Sequence, residues 1–178
     1  MGLGERLGGG PSALTDEVKR SFPPVVGPDT RVLVLGSLPG ERSLAERRYY
    51  AHPQNQFWRL MSPVTEQDLV PLPYEARLAA LRTAGIGLWD VVAQARRTGS
   101  SDAAIRDLAA NDLASLVATL PQLRAIGFNG VTALRHGTAQ LGAAANGYAI
   151  VPLPSSSPLH TVGVAAKQQA WLALADYL

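Results

Sequence analysis

The sequence predicts an α/β protein: a four-stranded parallel sheet covered by helices on both faces. Three observations predict it. Four short, largely aliphatic runs of strand length occur around residues 32–35, 85–92, 124–128 and 148–153. Segments with apolar residues at helical spacing lie between them. No two-residue hairpin turn joins any pair of runs, which argues for parallel strands with right-handed crossovers. Such sheets gather ligands beyond the carboxyl ends of their strands.

In chain order, residues 1–11 are glycine-rich and expected to be flexible, and residues 13–22 are expected to form a short helix ended by Pro23-Pro24. Residues 1–28 are thus set apart from a single domain over 29–178. The run Arg31-Val-Leu-Val-Leu35 reads as a buried strand delivering the tight turn Gly36-Ser-Leu-Pro-Gly40. A helical turn is expected over 43–48, a helix over 55–61 with Phe57, Leu60 and Met61 on one side, a loop over 63–73, and a helix over 75–83 carrying Leu78 and Leu81. Residues 85–92 form the second strand, ending at Trp89-Asp90, and 96–102 is loop-like. Leu113, Leu116, Val117 and Leu120 stripe an amphipathic helix over 111–120. The third strand, 124–128, runs into Asn129-Gly130, which is turn chemistry. A helix over 131–141, a turn at Asn146-Gly147, the fourth strand over 148–153, the segment 154–161 and a last helix over 164–177 complete the chain. Gly36-Ser37, Trp89-Asp90, Phe128-Asn129 and residues 154–161 should therefore meet at one rim.

Composition narrows the function classes. A chain of 178 residues with 47% hydrophobic and 17% charged residues suits one soluble domain. No apolar run approaches the roughly 18 residues of a membrane span, and residues 1–10 lack the apolar core of a signal peptide, so a cytoplasmic protein is expected. Absence of cysteine removes disulfides, thiolate nucleophiles, iron–sulfur clusters and zinc–thiolate sites. Three histidines without a His/Asp/Glu cluster predict no metal site, and no cofactor is expected. The formal net charge is +2, and the cations are mostly arginine, with Arg42, Arg47, Arg48 and Arg59, then Arg96 and Arg97, close together. Arginine suits bidentate phosphate contacts, although a solvated arginine surface accounts for the same pattern.

The segment Tyr49-Tyr-Ala-His-Pro-Gln-Asn-Gln-Phe-Trp58 crowds hydrogen-bonding groups and flat rings together, a mixture suited to a planar ligand. With Gly36-Ser-Leu-Pro-Gly40, Gly87-Leu-Trp-Asp-Val-Val92, Phe128-Asn-Gly130 and Leu153-Pro-Ser-Ser-Ser-Pro158, it makes an ordered set of strand-end motifs. On these the chain resembles the uracil-DNA glycosylase superfamily, most closely its hypoxanthine-DNA (deoxyinosine) glycosylase branch. The resemblance implies a three-layer α/β/α sandwich on a four-stranded parallel sheet. It further implies a monofunctional, metal-independent enzyme, expected to be a monomer. Such an enzyme flips a damaged nucleotide out of DNA and hydrolyses its N-glycosidic bond, leaving an abasic site. Two departures stand out. Many members carry a catalytic Asp or Asn where this chain has Leu38, and the second-motif polar residue is replaced by Leu153.

In the hypoxanthine branch catalysis is attributed to the Asn of the following segment, here Asn55, whose carbonyl oxygen could hold the attacking water and whose dipole could stabilise a cationic sugar. The competing assignment for Asn55 is a helix cap. Phe57 resembles the ring that stacks under the extruded base, with helix core as its alternative, and Trp58 is assigned to core. Gly36, Ser37 and Leu38 line the expected base site. His52 precedes Pro53 and is expected in extended backbone, in reach of phosphate or base, or else packed against a carbonyl. Asp90 sits where uracil-specific relatives often present a base-reading Asn, and Asn129 could read a base edge or simply make a turn. Ser155, Ser156, Ser157 and Pro158 resemble a loop pressed into the minor groove, with Leu159 as a wedge. A role for His160 in place of the missing second-motif group is an open hypothesis. A serine hydrolase using Ser37, His160 and Asp90 lacks the Gly-x-Ser-x-Gly elbow, and no phosphate-loop pattern is present. A DNA-binding module without catalysis stays open because of Leu38 and Leu153.

Overall fold

The computed structural model describes residues 18–178. In chain order, strand β1 (Val18–Arg20) precedes β2 (Val32–Gly36), helices α1 (Glu41–Glu46), α2 (Phe57–Thr65) and α3 (Tyr74–Ala84), and strands β3 (Ile86–Asp90), β4 (Val92–Arg96) and β5 (Arg106–Ala110). Helix α4 (Leu113–Ala118), strand β6 (Ala125–Asn129), helix α5 (Val131–Leu141), strand β7 (Ala149–Leu153) and helix α6 (Val164–Leu172) follow, with a 3-10 turn over Ala173–Tyr177. Among the described residues no helix is long and apolar enough to cross a membrane.

The expected parallel sheet is present, in the order β3-β2-β6-β7. Its two faces are covered separately. Val32, Val34, Ile86 and Leu88 pack with Phe57, Leu60, Met61, Leu81 and Trp171 of α2, α3 and α6. Leu33, Leu35, Ile126 and Phe128 pack with Leu113, Val117, Ala133 and Leu141 of α4 and α5. Successive side chains of a strand point to opposite faces, so a strand buried on both must read as an unbroken aliphatic run. Residues 32–35 do so, and the three-layer α/β/α sandwich stands.

A second sheet corrects the reading of the amino-terminal region. β1, β4 and β5 form an antiparallel sheet in the order β1-β4-β5. Residues 18–20, expected within a helix, instead pair with β4, Val18 opposite Arg96 and Arg20 opposite Gln94. Val25 also bridges Leu88 of β3. Residues 18–28 are therefore integral to the domain; the remainder of the expected flexible segment and helix lies outside the described residues. Three residues whose middle member, Lys19, is buried are too short a pattern to separate from a helical one. Residues 85–92 likewise split: β3 ends at Asp90, and β4 begins at Val92 in a different sheet. Leu38, Val92 and Ala95, with Ile105 and Leu108, form the small core between the sheets.

Helix α2 continues through Pro63 to Thr65, where a loop was expected. Leu60, Met61 and Val64 hold it in the core, and packing outweighs the hydrogen bond that proline removes. The last helix is shorter than expected, ending at Leu172 before the 3-10 turn.

Helix α5 approaches β6 closely at Gly137. A Cβ there would lie 2.2 Å from Phe128 Cε1, in a ring that is itself fully buried. Alanine favours a helix by about 1 kcal/mol over glycine, but forcing a methyl group into a packed core costs about 1–3 kcal/mol. Gly137→Ala is expected to lower the stability measured by urea denaturation, with the overlap outweighing the propensity gain.

Candidate active site

The parallel register brings the strand ends to one level. Gly36 lies beside Asp90, and Asn129 beside Leu153. Past them opens a cavity of about 790 Å³. Gly36, Ser37, Leu38, His52, Asn55, Asp90 and Asn129 all line it, together with residues 155–160. Phe57 does not. Its ring is fully buried and stacks on Tyr50, with centroids 3.8 Å apart and planes 14° apart, while Trp58 and Trp171 meet it edge-on. As first residue of α2, Phe57 joins Leu60 and Met61 on the inward face of the helix. Tyr50, one layer further out, lines the cavity instead. Its φ of 54° is unusual for a bulky residue, so the surroundings hold the ring in place. In sequence the only sign of Tyr50 was its place in the quoted aromatic segment.

Several polar groups already have partners. Asn129 Oδ1 accepts from the Ser156 N–H at 2.9 Å, and its Nδ2 donates to Ser156 Oγ at 2.9 Å and Tyr50 Oη at 3.4 Å. The expected base-edge reader is thus a brace between β6 and the 154–160 loop. The Gln56 N–H donates to the Ser156 carbonyl at 2.9 Å, and Trp171 Nε1 to that of Pro154 at 2.9 Å. Leu159 projects from the loop, 61% exposed. Asn55 Oδ1 accepts the Phe57 N–H at 3.0 Å, an Asx turn leading into α2, whose N-cap is Gln56, and this bond uses one lone pair of the oxygen. His52 Nδ1 accepts from the Gln54 N–H at 3.1 Å, leaving the neutral ring's proton on Nε2. Ser37 Oγ donates to Asp102 Oδ1 at 2.6 Å, not to an imidazole, so the hydrolase arrangement is not formed. Leu153 is buried in the core.

The first turn is held from beneath by Arg97. Its guanidinium is 0% exposed and donates to the carbonyls of Leu38, Pro39 and Gly99, with Asp102 3.9 Å away. Arg97 therefore contacts backbone rather than phosphate, contrary to its place in the sequence cluster. Burial lowers its pKa from the ordinary value, opposed by Asp102.

Residues 23–175 match the Uracil DNA glycosylase superfamily. The hypoxanthine DNA glycosylase of Methanosarcina barkeri is 37% identical over 153 residues, covering 86% of this chain and 95% of that protein. That of Methanosarcina acetivorans is 41% identical over 140 residues, covering 79% and 87%. The chain belongs to the uracil DNA glycosylase superfamily. The solution NMR structure of a candidate uracil DNA glycosylase from Methanosarcina acetivorans superposes with a TM-score of 0.80 at 36% identity, covering 89% of this chain and 97% of that one.

In this superfamily member Asp90 is a buried carboxyl at the cavity. Its side chain is 4% exposed, and Oδ2 has no hydrogen-bond partner among the described residues. A Cβ on Gly36 would come within 2.7 Å of Oδ1, so the carboxyl sits where only glycine leaves room. Burial pushes its pKa up to about 7, repulsion from Asp102 adds to this, and Arg97 opposes it. The unfolded chain loses this proton near the ordinary aspartate value whereas the fold retains it to about 7, so stability falls as pH rises between the two. Asp90→Asn is expected to melt higher than wild type at about pH 8, with the advantage shrinking towards about pH 4, in thermal melts across that range.

Proposed function

We propose that this protein is a monofunctional DNA glycosylase that removes deaminated bases, hypoxanthine foremost, from DNA. One observation carries the reading: a ring, a carboxyl and a carboxamide, from Tyr50, Asp90 and Asn55, line the same cavity at the strand ends. The names of the Methanosarcina relatives support hypoxanthine as the base. The volume is ample for a purine with part of its sugar-phosphate.

In this mechanism the nucleotide leaves the duplex and its base enters the cavity, stacking on Tyr50, which Phe57 supports from behind. Base–aromatic stacking contributes about 1–3 kcal/mol. Asp90 reads the base edge. As a neutral acid it offers one donor and one acceptor, the complement of the adjacent O6 and N1–H of hypoxanthine. As an anion it only accepts. Asn55, fixed by its bond from the Phe57 N–H, keeps a lone pair for water and directs its dipole at the sugar. The C1′–N9 bond breaks with its electron pair leaving on the base, water oxygen bonds C1′, and the proton released by the water passes through solvent to the departing base, giving neutral hypoxanthine and an abasic sugar. Ser155, Ser157 and Pro158 face the DNA backbone, Leu159 fills the gap left by the flipped base, and His52 and His160 flank the cavity mouth. Leu38 supplies an apolar wall with no catalytic group.

Leu38 also motivates a second reading, a DNA-binding module without turnover. Excess duplex containing one inosine, followed by alkaline cleavage of abasic sites, separates the two: strand breaks mean catalysis, a gel shift without breaks means binding alone. In the same assay Asn55→Ala is expected to lose about 10²-fold or more in single-turnover rate while retaining DNA binding. Wild-type turnover by that variant removes Asn55 from catalysis. For hypoxanthine, kcat/KM is expected to fall as pH rises through about 7, the value for Asp90, and Asp90→Asn to flatten that limb. An unchanged profile in the variant assigns the ionisation elsewhere.

A further inference from the structure

The chain has only two lysines among its 16 basic residues, Lys19 and Lys167, and both are buried, 7% and 1% exposed. Burying an ammonium is unfavourable unless its protons reach acceptors. Both lysines reach backbone carbonyls of loops that line the cavity. Lys19 Nζ donates to the Gly99 carbonyl and to Glu41. Lys167 Nζ, on α6, donates to the Ser155 carbonyl and, at 3.2 Å, to that of His160. Desolvation accordingly lowers its pKa from the ordinary lysine value.

The two acceptors of Lys167 bracket Ser156, Ser157, Pro158 and Leu159, so one ammonium ties both ends of the loop to α6. Within the loop the His160 N–H returns to the Ser157 carbonyl at 3.0 Å, and the Leu159 N–H to Ser157 Oγ at 3.2 Å. Asn129 and Gln56 hold the loop at Ser156. Lys167 adds the link to its far end, directly beyond the exposed Leu159. A methionine could occupy similar space but would leave two carbonyls without this donor.

We infer that Lys167 is a positioning residue for DNA engagement, its buried ammonium holding the 155–160 loop at the pitch from which Leu159 enters the base stack. The inference rests on the glycosylase reading given above. A wedge transmits force to stacked bases only if its own base does not yield, and two hydrogen bonds to one buried charge supply that resistance.

The test compares single-turnover base release from inosine in duplex DNA and in the same oligonucleotide as a single strand, where no neighbour has to be displaced. For Lys167→Met the duplex rate is expected to fall about tenfold further than the single-strand rate, and the defect should not add to that of Leu159→Ala. Hydrogen exchange should quicken in peptides covering 155–160 while those of β2 and β6 stay unchanged. Equal losses on the two substrates, or unchanged exchange over 155–160, overturn the inference. So does the same duplex-selective loss in Lys19→Met, which removes a second buried ammonium, one that holds the Gly99 loop. A Leu159→Ala protein with no duplex-selective defect overturns the wedge reading instead, and the exchange data then decide the clamp alone. Should Lys167→Met fail to fold, Lys167→Gln, which keeps an N–H donor without the charge, carries the same comparison and is expected to show a smaller defect in the same direction.

Discussion

Central strands of a parallel sheet buried on both faces present their polar side chains at the strand ends, and the carboxyl ends form the rim here. Val32 to Leu35 face helices on each side, and the first residue of β2 without an apolar side chain is Gly36, at the rim. Asp90 and Asn129 emerge at the same level because their strands pair in register with or beside β2. The cavity is thus a consequence of how the core is covered, and its chemistry consists of what the strands present once they leave that core.

What gives the rim its shape is a set of buried donors aimed at backbone carbonyls. Arg97 holds the turn at Leu38 and Pro39, Lys19 holds Gly99, and Lys167 holds Ser155 and His160. Asn129 holds Ser156 differently, accepting its backbone N–H and donating to its hydroxyl. Loops carry high backbone polarity and little apolar area, so they stay ordered only where such groups are satisfied. These are the residues that separate a cavity with fixed walls from a set of strand ends joined by loose chain.

Asp90 reaches the rim with its buried Oδ2 unpaired among the described residues. A carboxyl oxygen without a partner in a buried site disfavours the anion, and the neighbouring Asp102 disfavours it further. Stability is given up at this position, a pattern expected where a group is arranged for a ligand rather than for the fold. Gly36 shares in that arrangement, since any side chain there would occupy the space of the carboxyl.

Periodicity and turn chemistry were enough to read the four parallel strands, the helices between them and the rim where Gly36, Asp90, Asn129 and the serine loop meet, because each signal is local and repeats over several residues. The antiparallel sheet escaped, since β1 is three residues long and β4 follows β3 after a single residue. The resemblance, with the strand-end order of the motifs, pointed to Asn55, His52 and Ser155 to Leu159, but not to which neighbour takes each hydrogen bond. Tertiary packing alone decided that Tyr50, rather than Phe57, faces the cavity, that Asn129 braces a loop, and that Arg97 and both lysines lie inside. The physical reason is that a strand or helix is specified by residues near in sequence, whereas the partner of a long side chain is specified by whichever element the fold brings against it. Arg97 and Pro39 are 58 residues apart in sequence and are joined only when the end of β4 packs beneath the first turn.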